Sequence, residues 1–135
     1  MNVENQVHPD PEQIGPFIQT EGPVCMVNLL KFKDRAEYAD GRKTDLTGQQ
    51  AYGLYAAEMR KLVEASGGTF HFGAQCVGML LGKVDEEWDF VGIVEYPSAR
   101  ALIEISSSEP FREIEVHRVA GLKGQLNITT KQGDF

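Results

Sequence analysis

The sequence predicts an α+β fold of the ferredoxin-like βαββαβ type, an antiparallel four-stranded sheet with its helices on one face. Two observations predict it. Apolar runs with strand character and stretches of helical period follow one another as strand, helix, strand, strand, helix, strand. The strands also carry apolar residues on both parities, Met26 and Leu30 on one and Val27 and Leu29 on the other. Successive side chains point to opposite faces, so such a sheet is apolar on both sides, and helices on one side leave the other bare. A second sheet from another copy of the chain would cover it, and a homodimer is therefore expected.

The elements follow in order. Residues 1–22 are expected to form an arm with a short helix: Asp10 is placed as cap, Pro11 stands in the first turn and Gln13 lies three residues on. Gly15-Pro16 limits that helix, leaving Phe17 and Ile18 to dock the arm on the body. The first strand runs from Val24 to Phe32, with Pro23 at its start, where a missing N–H costs least. Lys33 to Gly48 is polar and without period, a length of loop that is usually functional or holds small structure of its own. Thr47-Gly48-Gln49-Gln50 is a capping box, followed by Ala51, Tyr55, Met59, Leu62 and Val63 at helical spacing and a Gly67-Gly68 stop. The second strand is expected over Thr69 to Leu81, alternating around Phe70, Phe72, Ala74 and Cys76, with Gly73 and Gly78 admitting a bulge. Lys83 to Glu87 is an acidic turn, and Trp88 to Tyr96 the third strand. Pro97-Ser98 launches a helix through Ala101, Leu102 and Ile105, which Ser108-Glu109-Pro110 breaks and restarts with Phe111 and Ile114 inward. Leu122 to Thr130 is the fourth strand. One ferredoxin-like domain thus spans 23–130, and 131–135 is a polar tail.

Composition removes several function classes. A net charge of −7 and a pI near 4.9 oppose binding to a phosphate backbone, so no nucleic-acid partner is expected. No apolar run approaches the roughly 20 residues that span a bilayer, and the N-terminal residues lack an apolar core of signal-peptide type. No membrane partner is expected, and the location expected by default is cytoplasmic. Cys25 and Cys76 lack the close spacing of metal or redox motifs and are read as buried small hydrophobes. Glycine-rich nucleotide loops, H-E-x-x-H and G-x-S-x-G are all absent, and three scattered histidines make no zinc site. No metal and no cofactor is expected.

Several segments carry a family likeness. Met26-Val27-Asn28-Leu29-Leu30-Lys31-Phe32, Ala51-Tyr52 with Tyr55, Trp88 through Val94-Glu95-Tyr96-Pro97-Ser98, and Val116-His117-Arg118 with Ala120-Gly121-Leu122 together resemble the dimeric α+β barrel superfamily. More narrowly they resemble the family known as domain of unknown function thirteen-thirty, over Pro23 to Ile128. The resemblance implies a ferredoxin-like subunit that dimerises into an α+β barrel. Two departures stand out: Leu81-Gly82 replaces a frequent Glu-Gly, and Phe111 replaces a frequent Tyr and so lacks its hydroxyl.

Asn28 is a misfit in its apolar strand, since a buried amide must find partners. Either it faces a polar cavity and holds a ligand's carbonyl or phenol oxygen, or it satisfies a neighbouring backbone or side chain. Arg118 lies on the helical stripe of Phe111 and Ile114; it pairs with Glu115 or Glu95, or it meets a ligand. His117 is the acid–base candidate, with Glu113 one turn back placed to raise its pKa, an arrangement that equally suits a surface pair. His71 is a second, weaker candidate. Tyr52, Tyr55, Trp88 and Tyr96 either line an aromatic pocket or pack core and dimer interface, Trp88 being placed to mark that interface.

Three functions are consistent with these residues. The first, drawn from the superfamily, is a small cofactor-independent enzyme of isomerase or monooxygenase type acting on a small apolar or aromatic metabolite. In it, Asn28 would orient an oxygen, His117 would move a proton and Arg118 would stabilise an anion, with Tyr55, Trp88, Glu95, Tyr52 and His71 around the substrate. The second is a non-catalytic ligand-binding or stress-associated dimer. The third, again implied by the superfamily, is a haem protein using His71 or His117.

Overall fold

A proline at the start and a strand partner on each side make Val24–Phe32 the backbone of the molecule. The computed structural model describes residues 3–133. Its elements are α1 (Pro11–Ile18), β1 (Val24–Phe32), α2 (Gly48–Ala65), β2 (Thr69–Gln75), β3 (Phe90–Tyr96), α3 (Ala99–Ser106), α4 (Glu109–Gly121) and β4 (Leu122–Thr130). The sheet order is β2-β3-β1-β4 with every neighbouring pair antiparallel, which is the expected ferredoxin-like α+β fold. None of the described helices is long and apolar enough to cross a membrane.

Strand parity divides β1 between two environments. Val24, Met26 and Leu30 point to the helices and are buried, and Val94 and Tyr96 of β3 share that face. Tyr55, Met59 and Val63 of α2, Ile105 of α3 and Phe111 of α4 pack on them as one core. Val27 and Leu29, with Val91 and Ile93 opposite, lie on the other face and are only half-buried. On that same face Phe72 is 53% and Ile128 46% exposed, so the second apolar surface is present and uncovered in the single chain.

Local signals set the helices. Thr47 Oγ1 accepts from the Gln50 N–H at 3.1 Å, while Gln50 Oε1 accepts from the Thr47 N–H at 2.9 Å, the reciprocal capping box that opens α2. Ser108 Oγ accepts from the Phe111 N–H and starts α4 directly after α3. The two long helices meet backbone to backbone at Gly48 and Gly121, where a Cβ on either residue would overlap the other's main chain. That contact places the last turns of α4 beside the first turn of α2. Residues 33–47 do hold structure of their own: Ala36 and Tyr38 pack on Ala51 and Ala120, and backbone bonds run from Lys33 and Glu37 to the C-terminal carbonyls of α4.

The second and third strands are shorter than their sequence suggests. β2 ends at Gln75 rather than Leu81, because its partner β3 begins only at Phe90. Asp89 terminates the ladder: its N–H donates to Leu30 O, and its carboxylate accepts from the Phe32 N–H at 2.8 Å and from Lys31 Nζ at 3.2 Å. Trp88 therefore falls outside β3. The segment between the two strands projects as a loop with Val77, Leu80 and Leu81 at 97%, 96% and 85% exposure. Cys76, expected to be buried, is exposed at the root of this loop, and Cys25 is intermediate.

Candidate functional site

The residue opposite Asn28 on one side is Gly92, and on the other Asn127. With no side chain on Gly92, the sheet is hollow at the centre of β1, and a cavity of about 1030 Å³ opens between the sheet and the helices. Met26, Asn28 and Leu30 line it from β1, Tyr52 and Tyr55 from α2, Arg118 from α4 and Gln125 from β4.

A chain of hydrogen bonds crosses this wall. Asn28 Nδ2 donates to Met26 O and Gly92 O, both at 3.3 Å. Asn28 Oδ1 accepts from Gln125 Nε2 at 2.8 Å, and Gln125 Oε1 accepts from Arg118 Nη2 at 2.7 Å. The antiparallel register sets Gln125 across from Leu30, on the same face as Asn28, and holds it at 7% exposure. Both ends of the Asn28 amide are thus engaged by the protein. Asn28 holds the Gln125 amide, and Gln125 in turn holds the Arg118 guanidinium.

The carboxylates expected beside Arg118 are elsewhere. Glu95 projects to the opposite sheet face, where Oε1 is 2.7 Å from His71 Nε2, and Glu115 lies 3.8 Å from His8 of the arm. Among the described residues no carboxylate stands within 4.0 Å of Arg118, although its neighbourhood is largely apolar and half-buried. Burial pushes the Tyr52 phenol up to about 12 against the opposing pull of the Arg118 charge. Tyr55 is raised further, again by burial first, with Arg118 acting to lower it. The two rings are 5.3 Å apart, Tyr52 also lying 5.5 Å from Phe32 and Tyr55 meeting Phe111 edge-on. Neither hydroxyl bonds to another described residue, neither is a fully buried unpartnered atom, and both residues line the cavity.

His117 does not join this group. Adjacent residues of a helix diverge by about 100°, and His117 turns to the loop before α2, where Nδ1 is 2.6 Å from the Tyr38 hydroxyl. Its pKa is lowered, first by burial and then by the positive charge of Arg42, not raised by Glu113. Of the three residues that the first function would use together, Asn28 and Arg118 line the cavity and His117 does not. Of the expected substrate-binding residues, Tyr52 and Tyr55 line the cavity, and exposed His71 stands at its rim. Trp88 and Glu95 do not line it. His71 and His117, the imidazoles that haem would require, engage Glu95 and Tyr38 respectively. Among the described residues no cluster of three metal-ligating side chains occurs.

Two contributors escape the sequence. Gln125 is an inward polar residue in a strand, the same signal as Asn28. On β4, however, Gln125, Asn127 and Thr129 are all polar on one parity, so that side reads as solvent-facing. The arm is the other: the Gln6 N–H donates to Gln125 O, Asn5 lies on Gly124 where a Cβ has no room, and Val7, His8 and Phe17 close one side of the cavity.

No protein-family model and no curated protein matches the chain. Among solved structures it is similar to the methylated RPA0582 protein, with 36% identity over 96% of both chains and a TM-score of 0.87. It is likewise similar to RPA0582 of Rhodopseudomonas palustris, a protein of unknown function, at 33% identity, 97% and 99% coverage and a TM-score of 0.86. Two more distant structures share the fold alone. One is a dabb family protein with a ferredoxin-like fold from Mesorhizobium loti, at 13% identity over 84% of this chain and 100% of that one, TM-score 0.53. The other is the hydroxynitrile lyase of Passiflora edulis, at 10% identity over 84% and 95%, TM-score 0.57.

Proposed function

Since the chain belongs to the family of the Rhodopseudomonas palustris protein RPA0582, we propose that it binds a small apolar or aromatic metabolite between sheet and helices and acts on it without a cofactor. The narrower likeness to the thirteen-thirty family is part of this proposal and rests on the residues quoted for it. The observation that carries the reading is the Asn28–Gln125–Arg118 chain along a cavity whose wall includes Met26, Leu30, Phe90 and tyrosines. Sites of this kind are mostly apolar with a few fixed polar groups that set orientation.

Isomerisation needs no co-reactant and is favoured over a monooxygenase-like reaction. A base takes a proton from the carbon between a carbonyl and a C=C bond, the dienolate oxygen rests against Arg118, and the proton returns at the far end of the dienolate as the double bond moves into conjugation. Glu115 and His8 line the cavity and are the groups available to carry that proton in place of His117. One observation favours the alternative, a non-catalytic ligand-binding dimer: His117, the expected acid–base residue, stands outside the cavity against Tyr38.

The homodimer belongs to the same proposal. Val27, Leu29, Val91, Ile93 and Ile128 form an apolar sheet face that no helix of the chain covers, and the exposed Val77–Leu81 loop adds to it. Pairing of two such faces is the simplest way to remove them from water.

A thermal-shift and native mass-spectrometry screen of small ketones, lactones and phenols tests the reading, followed by deuterium exchange of bound ketones in D₂O. Binding that disappears in a folded Asn28→Ala variant, with exchange in the wild type, is expected. Binding without exchange selects the non-catalytic alternative, and absence of binding across the panel overturns the cavity as a ligand site.

A further inference from the structure

Within the Asn28–Gln125–Arg118 chain each amide oxygen already accepts a hydrogen bond, while most guanidinium donors are unused. Asn28 Oδ1 takes Gln125 Nε2, and Gln125 Oε1 takes Arg118 Nη2. The Asn28 amide hydrogens go to Met26 O and Gly92 O. Among the described residues the Arg118 guanidinium makes that single hydrogen bond, which leaves most of its N–H donors free. Among the described residues the Tyr52 and Tyr55 hydroxyls have no hydrogen-bond partner, and both residues line the same cavity. At the Arg118 end the cavity therefore offers unspent guanidinium donors, with Tyr52 and Tyr55 lining the same space.

Among the described residues the cation is also without a counter-charge within 4.0 Å. The half-buried lysines each have a carboxylate, Lys31 with Asp89 at 3.2 Å and Lys33 with Glu37 at 3.8 Å. Arg118 has a neutral amide instead, while Glu115, three residues back on α4, stands by His8. Withdrawing a guanidinium from water beside neutral groups is costly unless an anion completes its shell. The planar fork of arginine suits two oxygens of one group.

Resting on the ligand-binding reading above, we infer that the cavity selects ligands carrying one anionic oxygen group, held by Arg118 with the Tyr52 and Tyr55 hydroxyls donating beside it. An ionised carboxylate and an ionised phenol or enol bring the same chemistry. Met26, Leu30 and Phe90 take the apolar body. Gln125 is a positioning residue that presents the guanidinium.

Matched pairs of probes test this at pH 8 by calorimetry and native mass spectrometry. Phenylacetate is set against phenylacetamide, and 4-nitrophenolate against 4-nitroanisole. The anion of at least one pair is expected to bind about ten-fold or more tightly than its neutral partner, the scale of a charge-assisted hydrogen bond. The pair that discriminates tells carboxylate from phenolate. The preference is expected to vanish in Arg118→Gln and to shrink in Tyr52→Phe, with Arg118→Lys intermediate because the charge stays and the fork is lost. Equal affinities within both pairs overturn the inference and leave the cavity reading standing. Binding of none of the four probes, with none from the screen above, removes both. The wild-type comparison decides even if Arg118→Gln does not fold.

Discussion

Arg118 donates to the side-chain oxygen of Gln125 at 2.7 Å, and this amide stands where a carboxylate would be expected. Gln125 is the one buried polar side chain among the described residues, and it joins α4 to the centre of β1 through Asn28. Replacing it by Leu leaves the guanidinium and the Asn28 oxygen without their partners. A loss of about 1–3 kcal/mol is expected, the cost of unpaired buried groups, measured by urea denaturation. Gln125→Glu places a carboxylate on Arg118 instead. Anionic probes are then expected to lose their advantage over neutral ones, while the fold is retained.

Gly48 and Gly121 hold α2 and α4 at backbone contact. Gly121→Ala introduces a methyl group where Gly48 O stands, so the helices must part. Overpacking of this kind costs about 1–3 kcal/mol or more. The expected result is a lower Tm together with weaker ligand binding, because α4 carries Arg118. A Gly53→Ala change on α2 meets no atom within 4 Å and serves as the control, expected to be neutral or slightly stabilising.

The pH dependence has a defined sign. The folded-state pKa of His117 lies below its ordinary value of 6.5, through burial and then Arg42. The unfolded chain therefore binds the proton more readily, and the contribution is complete above pH 6.5 and lost as pH falls through the lower folded value. The group facing His117 across the loop is Tyr38, with Arg42 stacked 4.5 Å over the Tyr38 ring. Between pH 7.5 and 5.5 the Tm of the wild type is expected to fall more steeply than that of His117→Asn. Equal slopes would remove His117 as the titrating group.

The uncovered sheet face gives a prediction about mass. A chain of 15.0 kDa is expected to elute with light scattering near twice that value. Ile93→Lys, at the middle of the face and half-buried in the single chain, is expected to yield folded monomer. A wild-type monomer would overturn the pairing of two sheets.

The boundaries of β1 and β4 were legible because each apolar run is closed by its own punctuation, Pro23 before one and Gly121 before the other. The end of β2 was not. Cys76 to Leu81 continues an apolar run, yet a strand ends where its partner ends, and Asp89 closes β3 by taking the Phe32 N–H. Pairing is a property of two segments, and the alternation of one does not contain it.

The same division governs the site. Asn28 inside an apolar strand and Arg118 on an apolar helical stripe each announce themselves by breaking a local pattern. Their connection runs through Gln125, 97 residues from Asn28, and exists only because the register of β4 on β1 sets that amide across from Leu30. His117 adjoins Arg118 in the chain, but the turn of the helix sends it to Tyr38 instead. The sequence by itself determined the order of elements, the apolar character of both sheet faces and the polar residues that needed partners, because these follow from local periodicity and burial cost. Only the tertiary structure decided which partners they take, because hydrogen bonds between distant segments depend on register and helix rotation, to which no single segment commits.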